Sequence, residues 1–347
     1  MTRRRIDIFV LGGTIAMTRD ADGTARPSMR ADDLLAGLAG EFDGLELVGQ
    51  DVSSVPSTYH TEDDLVRLAR KIDESAQAGA DGVVVVQGTD TLEETSFLLA
   101  LLHEQPCPVV CTAAMRLPDA PGADGPANLR AAVATAAGLP PTTARVFVTL
   151  GGEIHAAQYV AKRHAFSPAA FESPGRGPVG WVAEGQVRLS CDPGVGTRID
   201  GDVLAADPAH VLLYRYTFGD DGRVLDLASS LECRGVVLEA CGVGHVSPAV
   251  AERAGELAGH LPVVLTTRTG AGEVLTSTYG FEGSESDLRR RGLLLSGGLD
   301  SLKVKVLVSL GLRAGWTASQ LEAAMRSWTT AATPQDRTNG KHAHVTS

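Results

Sequence analysis

Two short motifs combine glycine with threonine in a pattern that suits covalent catalysis. The run VVVVQGTDTLEET leads four β-branched residues directly into Gly88, Thr89 and Asp90. Near the amino terminus, LGGTIA places Gly13 and Thr14 after another apolar run. Glycine lets the backbone approach a ligand closely, and a threonine hydroxyl becomes a nucleophile when a neighbouring group accepts its proton. Both motifs are therefore candidate parts of a catalytic site.

The same residues also have structural interpretations. A glycine pair after a strand is common in plain tight turns. Thr91 and Glu94 have the spacing of a helix capping box. Asp90 could cap the same helix, or its negative charge could interact with the positive end of the helix dipole. A dinucleotide site is not expected, because the GxGxxG pattern is absent and the GVG run at 242–244 lacks a third glycine.

The elements around the two motifs decide where they lie. Short β-branched runs alternate with longer segments of helical composition, which predicts a parallel sheet with helices on both faces. The predicted strands lie at 6–11, 82–86, 109–112, 146–150, 211–216, 235–238 and 262–266, and the predicted helices at 31–39, 61–76, 92–103, 127–137, 249–258 and 301–310. Both motifs follow predicted strands, so we expect them at the carboxyl edge of the sheet, where ligands bind in such folds.

The domain organisation follows from the same alternation. The predicted fold class is α/β, with a larger N-terminal parallel-sheet domain of flavodoxin-like layering and a smaller α/β C-terminal domain. The alternation lapses in CDPGVGTRIDGDVLAADP, which is rich in glycine, aspartate and proline. We therefore predict an N-terminal catalytic domain at 1–190, a linker at 191–209, a C-terminal domain at 210–332 and a mobile tail at 333–347.

Composition narrows the classes of partner. The chain has 347 residues, 44% of them hydrophobic, and a formal net charge of -11. Its one basic cluster, Arg3 to Arg5, is too short for a phosphate-tracking surface, so we expect no nucleic acid partner. Asp7 interrupts the first apolar run, and no apolar run approaches the roughly 20 residues that span a bilayer. We therefore expect no signal peptide and no membrane partner.

Cysteines and histidines indicate neither disulfides nor a metal site. The five cysteines are an odd number without a CxxC pair, which favours reduced thiols and a cytoplasmic location. The nine histidines are scattered, and none lies in an HExxH run. We therefore expect no metal and no cofactor.

LGGTIA and QGTDTLEETSFLL together resemble the two signature motifs of the bacterial-type L-asparaginase family. Further stretches agree with that family in order and spacing, namely STYHTEDDLVRLARKI, AAMRLPDAPGADGPANL, GPVGWV, GVVLEACGVGHVSP and GEVLTSTYGF. The resemblance covers the chain except its tail. It implies hydrolysis of the side-chain amide of L-asparagine, to L-aspartate and ammonia, through a threonine acyl-enzyme.

The resemblance implies four catalytic residues. Thr14 matches the first catalytic threonine, which is expected to attack the amide carbonyl and form an ester. Thr89 matches the second threonine, Asp90 the aspartate beside it, and Lys162 the catalytic lysine. The last three are expected to form a relay, in which the lysine accepts a proton if burial lowers its pKa. Without the resemblance, Lys162 would be interpreted as a solvated surface residue.

A substrate-binding set is implied in the same way, and its members are Gly13, Ser57, Thr58, Gly88, Ala114, His245 and Glu273. Ser57 is expected to hold the substrate α-carboxylate, and Asp90 its α-amino group. The backbone of Ala114 is expected near the leaving amide, and the Thr89 N–H is an expected oxyanion donor. Glu273 is expected to reach a neighbouring subunit's site, so the active unit would be a homodimer or homotetramer with shared sites.

Several positions depart from the family pattern near the substrate. The loop MTRDADGTARPSMR lacks the tyrosine that normally assists the first threonine, and its arginines cannot accept a proton at neutral pH. Thr58 replaces a common glutamine, His245 a common asparagine, and Gln87 the usual histidine. Such changes alter the hydrogen bonds on which amide discrimination depends. Ser57, Glu273 and His245 could instead be plain exposed polar residues.

Three function classes follow. The leading one is an L-asparaginase. The second keeps the threonine chemistry for another small-molecule amide, such as glutamine, a peptide-terminal amide or a larger biosynthetic amide. The family's amidotransferase relatives that act on misacylated tRNA are less favoured, because the chain has no added RNA-binding segment or basic surface. The third class is a non-catalytic asparaginase-like binding protein, which the missing loop tyrosine alone favours.

Overall fold

The computed structural model describes residues 3–329, so the predicted tail at 333–347 lies outside the described residues. The strands of the N-terminal part are β1 (Arg4–Val10), β2 (Met17–Arg19), β3 (Ala25–Pro27), β4 (Leu45–Asp51), β5 (Gly82–Val86), β6 (Val109–Thr112), β7 (Val146–Leu150), β8 (Glu153–Ala156), β9 (Ala161–Lys162), β10 (Phe171–Glu172), β11 (Gly180–Ala183) and β12 (Gln186–Leu189). Its helices are α1 (Ala31–Ala36), α2 (Glu62–Gln77), α3 (Leu92–Leu102) and α4 (Gly125–Gly138), and 3₁₀ turns lie at Thr14–Ala16, Ser57–Tyr59 and Thr89–Thr91.

Eight of these strands form one sheet in the order β12-β11-β8-β7-β6-β5-β1-β4. Neighbouring strands are parallel from β4 to β7, whereas β8, β11 and β12 are antiparallel. The α/β prediction is confirmed, and the sheet is mostly rather than wholly parallel. The direction changes at the two-residue turn of Gly151 and Gly152, whose positive φ angles suit a tight hairpin.

Helices cover both faces of this sheet. In β1, Ile8 packs with residues of α1 and α4 on one face, and Phe9 packs with residues of α2 and α3 on the other. This division arises because successive residues of a strand point to opposite faces. All five residues of β5 are buried, which explains its run of four valines. The flavodoxin-like layering is therefore confirmed.

A second sheet of four parallel strands lies in the C-terminal part, as predicted. Its strands, in order across the sheet, are β13 (Val211–Arg215), β14 (Gly235–Ala240), β15 (Val263–Thr267) and β16 (Leu294–Leu295). The helices of this part are α5 (Leu227–Ser230), α6 (Pro248–Ala258), α7 (Glu285–Arg290), α8 (Ser301–Arg313) and α9 (Ala318–Thr329), and 3₁₀ turns lie at Val203–Ala205 and Arg223–Asp226. The domain limits at 191–209 stay a prediction.

Helices α8 and α9 attach the C-terminal part to the N-terminal sheet. α8 packs against α3, and Phe97 of α3 meets Trp328 of α9 edge to face, with ring centroids 5.3 Å apart. At the far end of α8, the buried Arg313 pairs with Glu62 at 3.1 Å and Asp63 at 2.7 Å, both at the start of α2. The two parts therefore share an apolar and an ionic interface.

Sequence reasoning omits the β2–β3 hairpin, β4, β8 to β12, β16, α5, α7 and α9. The omission of β4 matters, because this strand leads to Ser57. β4 is an edge strand without a fully buried residue, so its pattern is weak. It also contains Gly49, where a Cβ would lie 2.8 Å from the Ala31 Cβ of α1. Close packing of α1 thus requires a residue that weakens the strand signal.

The capping box predicted for Thr91 and Glu94 is wrong. The Thr91 side chain makes no capping hydrogen bond and instead donates to the Ser57 carbonyl at 3.1 Å. A capping box needs an extended residue before the helix. Here the 3₁₀ turn Thr89–Thr91 runs directly into α3, and Thr91 has a ψ of 18°. Thr91 therefore ties two loops together.

Candidate active site

Three loops meet at the carboxyl edge of the large sheet. β1 lies between β4 and β5, so the loops after these parallel strands emerge side by side. The chain runs from β1 to β4 on one side of β1 and then to β5 on its other side. The strand order therefore reverses at β1, which is the topological switch point. Thr14 follows β1, Ser57 follows β4 and Thr89 follows β5. The fold therefore brings these residues to the edge where ligands bind in open α/β sheets.

Glycines allow these loops to touch. Gly13 has a φ of 87°, and a Cβ at this position would overlap the backbone of Gly88. A Cβ on Gly88 would in turn lie 2.9 Å from Ser57 Oγ. Gly13 has a positive φ and no space for a side chain, so glycine is required there, whereas a side chain at Gly88 would press against Ser57. The glycine pair of the first motif thus does more than turn the chain, because it lets the backbones of the two motifs pack directly against each other.

Thr14 begins a turn whose next residues are anchored in the core. Ile15 and Ala16 are buried, and the Ala16 carbonyl accepts hydrogen bonds from the N–H groups of Ser28 and Met29 at 2.9 and 3.0 Å. Thr14 itself is partly buried. Within residues 3–329, no hydrogen bond engages its hydroxyl. This oxygen is therefore available to a ligand.

Lys162 bridges Thr89 and Asp90. Its Nζ donates to Thr89 Oγ1 at 2.9 Å and to Asp90 Oδ1 at 2.6 Å. Thr89 is buried, whereas the Asp90 side chain is 65% exposed, so the bridge runs from the interior to the surface. The Lys162 side chain is only 15% exposed. Lys162 is therefore not a solvated surface residue, and a protonated lysine would retain a third donor for a ligand.

The backbone of Lys162 is held by a short ladder and by a glutamate. β9 and β10 form a separate two-stranded sheet, in which Lys162 pairs with Phe171. The Lys162 N–H also donates to Glu93 Oε1 at 3.3 Å. Glu93 is in the first turn of α3 and is 7% exposed. Sequence reasoning did not identify Glu93 as a site residue, although a glutamate pair entering an apolar helix was an available signal.

A buried ion cluster continues from Glu93 into the C-terminal part. Lys303 Nζ lies 3.5 Å from Glu93 Oε2 and 2.5 Å from Asp300 Oδ2, and its side chain is fully buried. Burial raises the pKa of Glu93, and the positive charge of Lys303 opposes that rise. Burial and the neighbouring Glu93 raise the pKa of Glu94 to about 7. A lysine within the apolar stretch of α8 was the sequence signal for this cluster.

Gln87, directly after β5, hydrogen-bonds to the backbone of the second motif and to α3. Its side chain is fully buried, and its Nε2 donates to Thr95 Oγ1 at 3.1 Å and to the Gly88 carbonyl at 3.4 Å. Its Oε1 has no hydrogen-bond partner among the described residues. Gln87, one of the departures from the family pattern, is thus joined to α3 and to the motif backbone.

Ala114 lies in a constrained turn after β6, the neighbour of β5. Ala114 is buried. The Asp124 carboxylate accepts hydrogen bonds from the N–H groups of Met115 at 2.9 Å and Arg116 at 2.8 Å. Two charge-assisted bonds to adjacent amides fix the turn that presents the Ala114 backbone.

The hairpin after Thr14 contains ion pairs instead of a tyrosine. Arg19 of β2 pairs with Asp119 at 2.6 Å, in the loop that follows Ala114. Arg26 of β3 pairs with Asp20 at 2.8 Å. Arg19 therefore attaches the hairpin to the loop after Ala114, whereas Arg26 pairs within the hairpin itself. Neither arginine can accept a proton at neutral pH in place of the absent tyrosine.

His245 lies in an aromatic cluster of the C-terminal part. Its ring meets Tyr279 and Phe281 edge to face, with centroids 4.8 and 4.9 Å away. Its Nε2 is 3.3 Å from the Oε2 of Glu285, whose side chain is fully buried. The His245 side chain is 27% exposed, so it is not a freely solvated loop histidine. The described contacts join it to this cluster and not to the loop of Thr89.

A cavity of about 560 Å³ lies beside Lys162, between the N-terminal and the C-terminal part. Lys162 and Glu273 both line it, and Glu273 is exposed. The structure thus places together Gly13, Thr14, Ser57, Gly88, Thr89, Asp90 and Lys162. Thr58 lies on the exposed side of the Ser57–Tyr59 turn. Within one chain, Glu273 reaches the cavity wall, and His245 stays apart from this group.

Two findings concern metals and membranes in residues 3–329. Their histidine, cysteine, aspartate and glutamate side chains form no group that could hold a metal ion. Their helices all fall short of the length and apolar character that a bilayer crossing requires.

The chain is similar to known proteins over most of its length. The L-asparaginase of Bacillus licheniformis is 31% identical over 312 residues, which cover 88% of this chain and 95% of that protein. A glutamyl-tRNA(Gln) amidotransferase subunit of Methanosarcina barkeri is 28% identical over 298 residues, which cover 79% of this chain and 67% of that protein. The crystal structure of a probable cytoplasmic L-asparaginase from Campylobacter jejuni matches with a TM-score of 0.82 and 27% identity, covering 94% of this chain and 100% of that one.

Two family models account for both parts of the molecule. The model described as Asparaginase, N-terminal matches residues 5–194. The model described as Glutaminase/Asparaginase C-terminal domain matches residues 210–325. Each match covers one of the two larger sheets, and together the matches cover most of the chain. The protein therefore belongs to the asparaginase family.

Proposed function

We propose that this protein hydrolyses the side-chain amide of L-asparagine to L-aspartate and ammonia. The observation that carries the proposal is the bridge from Lys162 Nζ to Thr89 Oγ1 and Asp90 Oδ1, at 2.9 and 2.6 Å. This bridge lies at the switch point of the sheet, where the first motif also presents the Thr14 hydroxyl. Membership of the asparaginase family supports an amide substrate, since one relative is an L-asparaginase.

The proposed reaction consists of two acyl transfers. Thr14 Oγ attacks the amide carbon, the C–N bond breaks, and ammonia departs. The product of this step is an ester between Thr14 and the aspartyl group. Water then attacks the ester carbon, the C–O bond breaks, and aspartate departs. In the first step, Lys162 acts as an uncharged amine: the proton of Thr14 passes through the Thr89 hydroxyl to its nitrogen and then to the leaving nitrogen. In the second step, a proton from water takes the same path back to Thr14.

The same loops supply the proposed binding groups. The Thr89 N–H stabilises the tetrahedral oxyanion, and one such donor contributes about 3 kcal/mol in comparable sites. Ser57 holds the α-carboxylate, and Asp90 holds the α-ammonium as well as orienting Lys162. The exposure of Asp90 supports this double role, because its carboxylate has accessible oxygen beyond the bond to Lys162.

Ammonia release tests the proposal directly. The purified protein should release ammonia from L-asparagine faster than from D-asparagine, L-glutamine or an asparagine with a blocked α-amino group, each at millimolar and micromolar concentrations. D-asparagine and the blocked asparagine should be slower because Ser57 and Asp90 are proposed to bind both α-substituents of an L-amino acid. L-glutamine should be slower because its extra methylene places the amide carbon at a different distance from Thr14. Turnover of none of the free amino acids would contradict the proposed substrate.

A second candidate keeps the threonine chemistry for a different amide. The absent loop tyrosine and the exposed position of Thr58 favour it, because Thr58 adjoins Ser57, which we propose holds the substrate's α-carboxylate. Tyr59, which follows Thr58, is 71% exposed, so this side of the proposed site is open to larger molecules. A peptide-terminal or biosynthetic amide offered in the same assay distinguishes the candidates. Faster release from such an amide than from L-asparagine would favour the second.

We also propose that two chains share each site. Glu273 is exposed and lines the cavity beside Lys162, and the aromatic cluster around His245 includes Tyr279 and Phe281, which are 43% and 50% exposed. Partly exposed aromatic side chains of this kind are enriched at protein interfaces. A homodimer, or a homotetramer of two such dimers, would cover them and bring Glu273 to its neighbour's site.

Mixing two inactive variants tests the shared site. Thr14→Ala and Glu273→Ala chains should each be inactive, and a reassembled equal mixture should regain about a quarter of the wild-type activity. Half of the dimers would be mixed, and each mixed dimer would contain one intact site. Native mass spectrometry would confirm the exchange.

The matched control combines Thr14→Ala with Lys162→Met. Both residues belong to the same chain's half of the site, so this mixture should stay inactive. Confirmed exchange between Thr14→Ala and Glu273→Ala chains without recovered activity would contradict a site shared through Glu273.

We further propose a cytoplasmic location. The five cysteines of the described residues are all free thiols, as is usual in reducing compartments, and the similar structure from Campylobacter jejuni is called cytoplasmic. Recovery of the protein from the secreted or periplasmic fraction of its cells would contradict this location.

A further inference from the structure

We propose that Lys303, in the C-terminal part, is a positioning residue for Lys162 and acts through Glu93. The inference rests on the proposed function of Lys162 in the site. The path has two contacts: Lys303 Nζ lies 3.5 Å from Glu93 Oε2, and Glu93 Oε1 accepts the Lys162 N–H at 3.3 Å. One carboxylate thus joins a buried cation on α8 to the backbone of the lysine that bridges Thr89 and Asp90.

Lys162 needs such an anchor because little else fixes its backbone. β9 contains two residues and pairs only with β10, outside the eight-stranded sheet. The Lys162 side chain must nevertheless place one nitrogen 2.9 Å from Thr89 Oγ1 and 2.6 Å from Asp90 Oδ1. Thr89 and Glu93 are on adjacent turns of the same segment. A bond from Glu93 to the Lys162 backbone therefore sets β9 at a fixed position relative to Thr89.

The charge balance makes Glu93 dependent on Lys303. Lys303 is one buried cation facing two carboxylates, Glu93 and Asp300, and its side chain is fully buried. Glu94 on α3 and Lys162 also lie near this cluster. Ser301, next to Asp300, donates to Glu239, whose carboxylate pairs with Arg215, so that carboxylate has its own cation. Without Lys303, Glu93 would be a buried carboxylate beside Asp300 with no cation of its own. The charged carboxylate would then move toward water and away from Asp300, and this movement would break its hydrogen bond with the Lys162 N–H.

This arrangement differs from the ordinary docking contacts of α8. At the other end of the helix, Arg313 is equally buried and pairs with Glu62 and Asp63 of α2. Those contacts attach α8 to the N-terminal part without touching a residue of the candidate site. The chain thus contains a matched buried cation for separating docking from positioning.

The experiment compares Lys303→Met with Arg313→Met and with Lys305→Met, which removes an exposed lysine from the same helix. Lys303→Met should lower kcat about 10- to 100-fold with little change in KM, because a displacement near 1 Å costs rates of that size. Arg313→Met should lower the Tm without this fall in kcat, and Lys305→Met should change neither. A folded Lys303→Met with wild-type kcat, or an equal fall in Arg313→Met, would overturn the proposal.

Variants of Glu93 separate the charge from the hydrogen bond. Glu93→Gln keeps an oxygen that accepts the Lys162 N–H and removes the buried negative charge. The double variant Glu93→Gln with Lys303→Met should therefore regain much of the kcat that Lys303→Met alone loses. Glu93→Ala removes the acceptor and should lower kcat while Glu93→Gln does not. This pair decides the question even if Lys303→Met fails to fold, since equal kcat values for the two variants would refute the positioning path.

A readout without catalysis distinguishes this proposal from the proposed function. The rate at which an amine-reactive acetyl ester labels Lys162, followed by peptide mass spectrometry, reports how firmly its side chain is held. Labelling should be several-fold faster in Lys303→Met than in wild type or Lys305→Met. If the wild type hydrolyses no amide and labelling still accelerates, the proposed function fails and the positioning stands. Unchanged labelling in folded Lys303→Met would overturn the positioning.

Discussion

Replacing Thr14 with alanine should reduce kcat on the order of 10⁴-fold or more while L-asparagine still binds. Removal of a hydroxyl nucleophile has effects of this size in acyl-transfer enzymes. The binding groups proposed for the substrate are on other residues, so the Kd from calorimetry should change little. Thr14→Ser should retain measurable turnover, because its hydroxyl occupies a similar position.

Stability measurements make the Thr14 result interpretable. The hydroxyl has no hydrogen-bond partner within residues 3–329, so its removal leaves no orphaned polar group and the Tm should stay close to that of wild type. Thr142→Ala is a matched control, since Thr142 is exposed in the loop before β7, at the opposite edge of the sheet. Full activity in a folded Thr14→Ala would refute Thr14 as the nucleophile.

The strands that carry the two motifs could be predicted because their physical signal is local. The strands at 82–86, 109–112 and 146–150 have the predicted bounds, and all three are buried throughout. A strand buried on both faces is a continuous apolar run, and glycine or proline marks its ends. The position of the second motif at the sheet edge follows from the strand at 82–86. The first motif follows β1, which was predicted at 6–11 and spans Arg4–Val10. β4 lacks this signal, since it is partly exposed and contains Gly49.

The contacts of Lys162 and of Lys303 could not be predicted from spacing alone because their partners are distant in sequence. Lys162 and Thr89 are separated by 73 residues, and Lys303 and Glu93 by 210. A single lysine in a polar stretch has no pattern that identifies its partner, so the resemblance to a family supplied the role of Lys162. No such guide existed for Glu93 and Lys303. Their burial follows from the docking of α8 on α3, which is a tertiary event.

Local patterns also misled where tertiary contacts compete for the same side chain. Thr91 and Glu94 have capping-box spacing, yet the Thr91 hydroxyl bonds to the Ser57 carbonyl of a neighbouring loop. His245 likewise lies in a glycine-rich loop, but its ring packs edge to face against Tyr279 and Phe281, and its Nε2 is 3.3 Å from the carboxylate of Glu285. In both cases a partner far along the chain decides the role of a polar residue.

The second large effect is expected for Lys162→Met, which should lower kcat/KM on the order of 10²- to 10⁴-fold. General acid–base groups contribute rates of this size, equivalent to about 3 to 5 kcal/mol of transition-state stabilisation. Stability should change little, because the Asp90 carboxylate is 65% exposed and water can replace the lysine. Lys71→Met, at an exposed position on α2, is the control. A fall below roughly tenfold would rule out Lys162 as the proton acceptor.

Lys162→Arg then decides whether the charge or the proton transfer matters. Arginine keeps a positive charge near Thr89 and Asp90 but cannot release a proton at neutral pH. If Lys162 accepts the proton that Thr14 loses, the arginine variant should be nearly as impaired as Lys162→Met. If Lys162 acts only as a fixed positive charge, the arginine variant should recover most of the activity. A recovered Lys162→Arg enzyme would therefore leave Thr14 as the nucleophile and require a different acceptor for its proton.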